Sequence, residues 1–198
     1  MMDTRKISVR VLFITVFAVI PLFHGCDISK TGVSGTGGFS LPFGRTYNYD
    51  DILVTRVIDG DTLKLEDGKR VRLVGIDTPE MHESAKLDRD SQRSGRDKKA
   101  IQVMGRRAFK FTEDLVEGKR VRLEFDAEKH DKYDRLLAYV YLRDGTFVNA
   151  EIIKQGYASL MTYPPNVRHV NTFKQLYREA RENNRGLWKE LNKDDFGI

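Results

Sequence analysis

The sequence predicts an α+β domain: a small, closed, five-stranded β-barrel with three flanking helices. Three observations carry that expectation. Five short segments alternate apolar and polar residues at the period of a strand, turn dipeptides separate them, and three other stretches repeat apolar residues at helical spacing. Over 52–76 the pattern reads strand, turn, strand, turn, strand. Ile52, Leu53 and Val54, then Val57 and Ile58, run into an Asp59-Gly60 turn. Leu63 and Leu65 alternate with Lys64 and Glu66, Asp67-Gly68 is a favourable hairpin turn, and Val71, Leu73 and Val74 follow. A fourth strand alternates through Val121-Arg122-Leu123-Glu124-Phe125. A fifth covers 136–142 and turns at Asp144-Gly145 into Phe147-Val148.

The first helix is expected from Ile101, Met104, Ala108, Phe111 and Leu115, with Gly118 as its stop. Asn149 is expected to cap a short second helix through Gln155, ended by Gly156. Val170, Phe173, Leu176, Tyr177 and Ala180 mark the third. Three strands, a helix, two strands and two helices, with short curved strands, suit an OB-fold barrel. Between 81 and 99 apolar residues are almost absent, so an exposed loop or mobile lid is expected there.

The N-terminal region differs in character. Arg5, Lys6 and Arg10 precede an apolar stretch over 11–23, the pattern of an export signal over 1–25. At 13 residues the stretch falls short of the roughly 20 that span a bilayer. The single cysteine, Cys26, follows Leu22-Phe23-His24-Gly25, an arrangement that resembles a bacterial lipobox; cleavage before it would leave Cys26 lipidated and the chain tethered to a membrane. An ordinary cleaved signal is the alternative. A Gly/Ser-rich linker over 26–47 then leads to one domain over 48–198. The chain is thus expected to be exported, as a cell-envelope lipoprotein or a secreted protein, and monomeric. Removing Arg5, Lys6, Arg10 and Asp3 with the signal lowers the formal net charge from +5 to +3. So small an excess argues only weakly for nucleic acid.

Three charged clusters carry the chemistry: Asp59-Gly60-Asp61-Thr62, then Arg72 with Asp77-Thr78-Pro79-Glu80, then Asp131-Lys132-Tyr133-Asp134-Arg135. Each alone reads as a turn or a solvated loop. Together they offer oxygen ligands for a hard cation such as Ca²⁺ or Mg²⁺, a further carboxylate, Glu80, for a bound water, and arginines for a phosphate. Phosphodiester hydrolysis uses all of these. The reading makes one geometric demand. Arg72 and Asp77 are an odd number of residues apart, which puts them on opposite faces of an ideal strand. The chain must bend between them, and Gly75 is the residue that allows it.

The order D-G-D-T, R-x-x-x-x-D-T-P-E and D-K-Y-x-R resembles the staphylococcal nuclease (thermonuclease) family. Phe147-Val148-Asn149, Gln155-Gly156-Tyr157-Ala158 and Arg185-Gly186-Leu187-Trp188 extend the resemblance over roughly 50–190. It implies an OB-fold enzyme that cleaves DNA and RNA with one Ca²⁺, with little sequence preference, leaving a 3′-phosphate. By resemblance Asp61, Asp77 and the Thr78 carbonyl bind calcium, with Asp59 in the outer shell. Glu80 activates or orients water, and Arg72 and Arg135 hold the phosphate. Lys132, Tyr133 and Tyr163 line the nucleotide pocket. Asp134 stands where the family places a glycine, so a left-handed backbone is expected there. The alternative function is a non-catalytic nucleic-acid-binding barrel, which would have no need of Asp61, Asp77, Glu80, Arg72 and Arg135 together.

Overall fold

The computed structural model describes residues 48–189. The expected signal over 1–25, lipidated Cys26, linker over 26–47 and the last residues of the 48–198 domain lie outside the described residues. Within them, β1 (Ile52–Asp59), β2 (Thr62–Leu65), β3 (Arg70–Leu73), β5 (Arg120–His130) and β6 (Leu136–Leu142) close into a barrel in the order β1-β2-β3-β6-β5. Neighbours pair antiparallel except at one seam. There β3 runs parallel to β6, with Val71 opposite Leu136 and Leu73 opposite Ala138. A parallel pair needs a long crossover, and the chain between β3 and β6 supplies it. Alternate residues point inward: Leu63, Leu65, Val71, Leu73, Val121, Leu123, Leu136 and Ala138 are all buried.

The sequence reads 71–77 as one strand; the structure breaks it. β3 ends at Leu73, Gly75 adopts φ 86°, and β4 (Gly75–Asp77) leaves the barrel. It pairs instead with β7 (Ser159–Met161), a strand the sequence analysis missed, with Ile76 opposite Leu160. Only glycine fits this break. A Cβ on Gly75 would lie 2.6 Å from Cδ2 of buried Phe173, and the left-handed backbone disfavours a side chain in any case.

Asn149 holds the same break from the other side. Its Nδ2 donates to the Val74 carbonyl and its Oδ1 accepts from Val140 N–H, both at 2.9 Å. The expected capping role is therefore corrected. The helix α3 (Val148–Lys154) has no side-chain cap, because the Asn149 side chain is fully buried between the barrel and the chain break.

Helices α2 (Lys98–Val116) and α4 (Val170–Glu182) follow the expected periodicity, with Ile101, Met104, Ala108, Phe173 and Ala180 buried. The described residues contain four α-helices rather than three. The extra one, α1 (Ala85–Ser94), lies where a loop was expected over 81–99. Ser84 caps it by accepting the Leu87 N–H, and Gly95 stops it at φ 67°. One apolar residue, Leu87, anchors it and is completely buried. A helix with a single anchor has no apolar periodicity to read, which is why the sequence pattern failed here.

Candidate active site

The Asp59-Gly60-Asp61 turn joins β1 to β2 and is fixed from two sides. Thr112 on α2 donates its hydroxyl to the Gly60 carbonyl at 2.8 Å. Thr78 packs so closely that a Cβ on Gly60 would lie 2.8 Å from its Oγ1. Asp61 is thereby buried, and its Oδ2 accepts the Thr78 backbone N–H at 3.0 Å and the Thr78 hydroxyl at 3.2 Å. Thr62 donates to Oδ1. The first and second sequence clusters therefore interlock through Asp61 and Thr78.

The break at Gly75 meets the geometric demand made of Arg72. Its guanidinium Nη2 lies 3.1 Å from Asp77 Oδ1 and 3.2 Å from Asp61 Oδ2, so one cation spans both carboxylates. Its Nη1 donates to the Leu73 carbonyl, which fixes the fork. The Ser159 hydroxyl on β7 donates to the Asp77 carbonyl. Glu80 is positioned by α2: at Gly105 a Cβ would lie 2.6 Å from the Glu80 backbone, so only glycine lets this segment settle on the helix.

A second cation, absent from the sequence expectations, completes the cluster. Lys86 projects from α1, and its Nζ lies 2.9 Å from the Thr78 carbonyl, 2.9 Å from Glu80 Oε1 and 3.0 Å from Asp77 Oδ1. Burial works against the Lys86 ammonium, but Asp77, Asp61 and Glu80 more than offset it and raise its pKa. Burial also pushes the Asp61 carboxyl up, yet Arg72 and the Thr78 N–H overcome this and hold it below the usual range. At Asp77 burial wins over the cations and the shift is upward. Asp59 is raised to about 6, first by burial and then by the neighbouring Asp61 charge.

The third cluster sits in the β5–β6 turn. Asp134 takes φ 57°, the left-handed conformation expected of it, and donates its N–H to the Asp131 carbonyl. Asp131 accepts from the backbone N–H of Tyr133 and Arg135 and binds Arg135 Nε at 2.7 Å. The β3–β6 seam pairs the strands that this arginine and Arg72 adjoin. Val71 and Leu136 face each other with buried side chains; Arg72 follows Val71 in β3, and Arg135 is the residue just before β6. Lys132 lies over the Tyr133 ring at 5.0 Å, and Tyr133 is exposed. Tyr163 is also exposed, just beyond β7, whose Met161 sulfur approaches Arg72 Nη2 at 3.7 Å. Direct contacts thus gather Asp61, Arg72, Asp77, Thr78 and Glu80. Arg135, Lys132, Tyr133 and Tyr163 make no hydrogen bond or ion pair with that group; Arg135 and Lys132 contact the Tyr133 ring instead.

The donor set suits a hard cation: carboxylate and carbonyl oxygens only. Among the described residues no three His, Cys, Asp or Glu side chains form a ready-made cage. Lys86 Nζ nevertheless sits within 3.0 Å of three oxygens, so the pocket already surrounds a point charge.

Comparison with known proteins gives the family. Residues 70–190 match the family model described as staphylococcal nuclease homologue. The chain is 34% identical over 188 residues to a thermonuclease of Staphylococcus intermedius, covering 93% of this chain and 99% of that protein. It is 32% identical over 180 residues to a thermonuclease of Staphylococcus hyicus, covering 89% and 95%. It is also 33% identical over 145 residues to endonuclease YncB of Bacillus subtilis, covering 71% and 62%. On the family match and on 34% identity over nearly the full length of a thermonuclease, the chain belongs to the staphylococcal nuclease family.

Proposed function

We propose that this chain is a Ca²⁺-dependent nuclease that hydrolyses DNA and RNA with little sequence preference, using its barrel as an OB fold. It is an enzyme of the phosphodiester-hydrolysing class. The observation that carries the reading is the convergence of Asp61, Asp77, the Thr78 carbonyl and Glu80 around two cationic side chains within hydrogen-bonding distance. Asp61, Asp77 and Thr78 would hold the calcium, with Asp59 in its outer shell. When bound, the ion would supply Lewis-acid neutralisation of the phosphate and a site for water.

The chain's own groups do the rest. Glu80 accepts a proton from the attacking water as its oxygen bonds to phosphorus. The bond from phosphorus to the 5′-oxygen breaks, that oxygen takes a proton from solvent water, and the phosphate stays on the 3′ side. Arg72 and Arg135 grip the non-bridging oxygens, where charge grows in the transition state. Lys132, Tyr133 and Tyr163 offer a cation and exposed rings to the sugar-phosphate and the base. Contacts of this type position a nucleic acid without reading its sequence.

The test is digestion of DNA and RNA with calcium or with chelator. Cleavage is expected only with calcium, falling about 10²- to 10³-fold in Glu80→Gln and in Arg135→Ala. Undiminished cleavage by Glu80→Gln would remove it as base. Binding without cleavage by the wild type would favour a nucleic-acid-binding barrel. Export is proposed as well, with a leader over 1–25, lipid attachment at Cys26 and a linker over 26–47. Loss of membrane association in Cys26→Ser, with activity retained, would support the anchor.

A further inference from the structure

Lys86 is the one group in the cluster to which the resemblance gives no role, and it occupies the most consequential position. Its ammonium contacts Asp77, Glu80 and the Thr78 carbonyl, which are two proposed calcium ligands and the proposed base. An ammonium and a calcium ion both seek those oxygens, at about 2.9 Å and about 2.3–2.6 Å respectively. Both cannot hold the same set. We infer that Lys86 is a tethered competitor of the metal, an internal cation that α1 delivers into the site and that calcium must displace.

Three features support a competitor rather than a permanent strut. Lys86 lies on a helix fixed to the domain by a single buried apolar side chain, Leu87. A charged tie of α1 to α2, Asp88 with Lys98, is an exposed pair and correspondingly weak. Arg72 already bridges Asp61 and Asp77, so those carboxylates keep a cationic partner when Lys86 leaves. Withdrawal of Lys86 would free the Thr78 carbonyl and Glu80 together and leave Asp77 Oδ1 with Arg72 as its single cationic partner. Metal binding and release of the base would then be one event. With Lys86 in place Glu80 is ion-paired and the metal position is filled, so the site is both closed and inactive. The apparent calcium affinity is set by the fraction of molecules in which Lys86 is out.

This inference rests on the calcium reading above, and the experiment separates the two. Calcium chloride is titrated calorimetrically into the full chain and into Lys86→Met, with exposed Lys99→Met as a control for removal of one positive charge elsewhere. Cleavage is measured on the same samples. The expected result is a calcium dissociation constant lowered about tenfold or more in Lys86→Met, and by less than about threefold in Lys99→Met. Lys86→Gln, which keeps a donor without the charge, should shift in the same direction as Lys86→Met. Calcium should also raise the melting temperature of both Lys86 variants by more than that of the wild type.

Equal or weaker calcium binding by Lys86→Met would overturn the inference. So would failure of both Lys86 variants to fold even at saturating calcium, because Lys86 would then be a strut. Loss of a chelator-resistant cleavage in Lys86→Met would overturn it too, since the ammonium would then be replacing the metal. Cleavage by the wild type with unchanged affinity in the variant removes only the role given to Lys86. Absence of cleavage by every chain removes the nuclease reading, whatever the titration shows.

Discussion

Gly75→Ala is the most informative single change in the framework, because the break it makes is what brings Arg72 and Asp77 to one place. Two effects add. Alanine in the left-handed region costs about 1–2 kcal/mol. The new methyl also meets the Phe173 ring at 2.6 Å from Cδ2, and overpacking of this kind costs about 1–3 kcal/mol. The expected loss is about 2–5 kcal/mol, or roughly 5–15 °C in Tm for a domain of this size. Urea unfolding measures it. Gly75→Ala combined with Phe173→Leu should recover part of the overpacking and none of the backbone cost. Cleavage, measured well below the melting temperature, should fall by more than the folded fraction does, because the 3.1 Å contact between Arg72 and Asp77 depends on the break. A stability change under about 0.5 kcal/mol would refute the reasoning, since a residue that fits there freely cannot be enforcing the turn.

Other perturbations probe separate supports. Asn149→Ala leaves the Val140 N–H and the Val74 carbonyl without their side-chain partner, and should lower stability by about 2–4 kcal/mol in urea. Leu87→Ala should release α1 with little effect on the barrel; hydrogen exchange at 85–94 should rise while β5 and β6 stay protected, and a uniform rise would contradict a locally anchored helix. Asp126 gives a pH signature. Burial pushes its carboxyl up, but the Arg168 N–H, the Tyr139 hydroxyl and the Ala127 N–H overcome this and hold it below the usual value. A carboxyl depressed in the folded state contributes stability that is full above the unfolded pKa, near 3.9, and is lost as pH falls through the folded value. Asp126→Asn should therefore flatten the acid limb of stability below about pH 4, as read from urea midpoints. An unchanged acid limb would show that these hydrogen bonds do not favour the charged form.

The barrel strands were legible because inward and outward residues alternate through them and Asp-Gly turns punctuate them. The larger helices were legible because residues such as Ile101, Met104 and Ala108 recur on one face. Arg72 and Asp77 were legible as partners only on the condition that Gly75 bend the chain, and the bend is there at φ 86°. What escaped was held by single contacts or by distant partners. α1 hangs on Leu87 alone, β7 is three residues that pair only with the displaced β4, and Asn149 serves the barrel rather than its own helix. Lys86 escaped for the same reason. Nothing in a charged segment marks which lysine turns inward until the helix that carries it has been seen. A serine followed three residues later by the one leucine of the segment was the available signal.

The parallel seam between β3 and β6 has a consequence for the life of the polypeptide before it is mature. Val71 and Leu136 meet across it from opposite ends of a crossover that contains α1, α2 and β5. Such distant pairings form slowly. On the proposed roles of Arg72 and Arg135, a nascent or unravelled chain holds both arginines without the strand pairing that joins their segments. Hydrolytic competence should thus be acquired late, with seam closure. In refolding from urea, activity should return with the slowest phase rather than with the first burst of helix, and a cell making this chain would carry a harmless form of it until that closure.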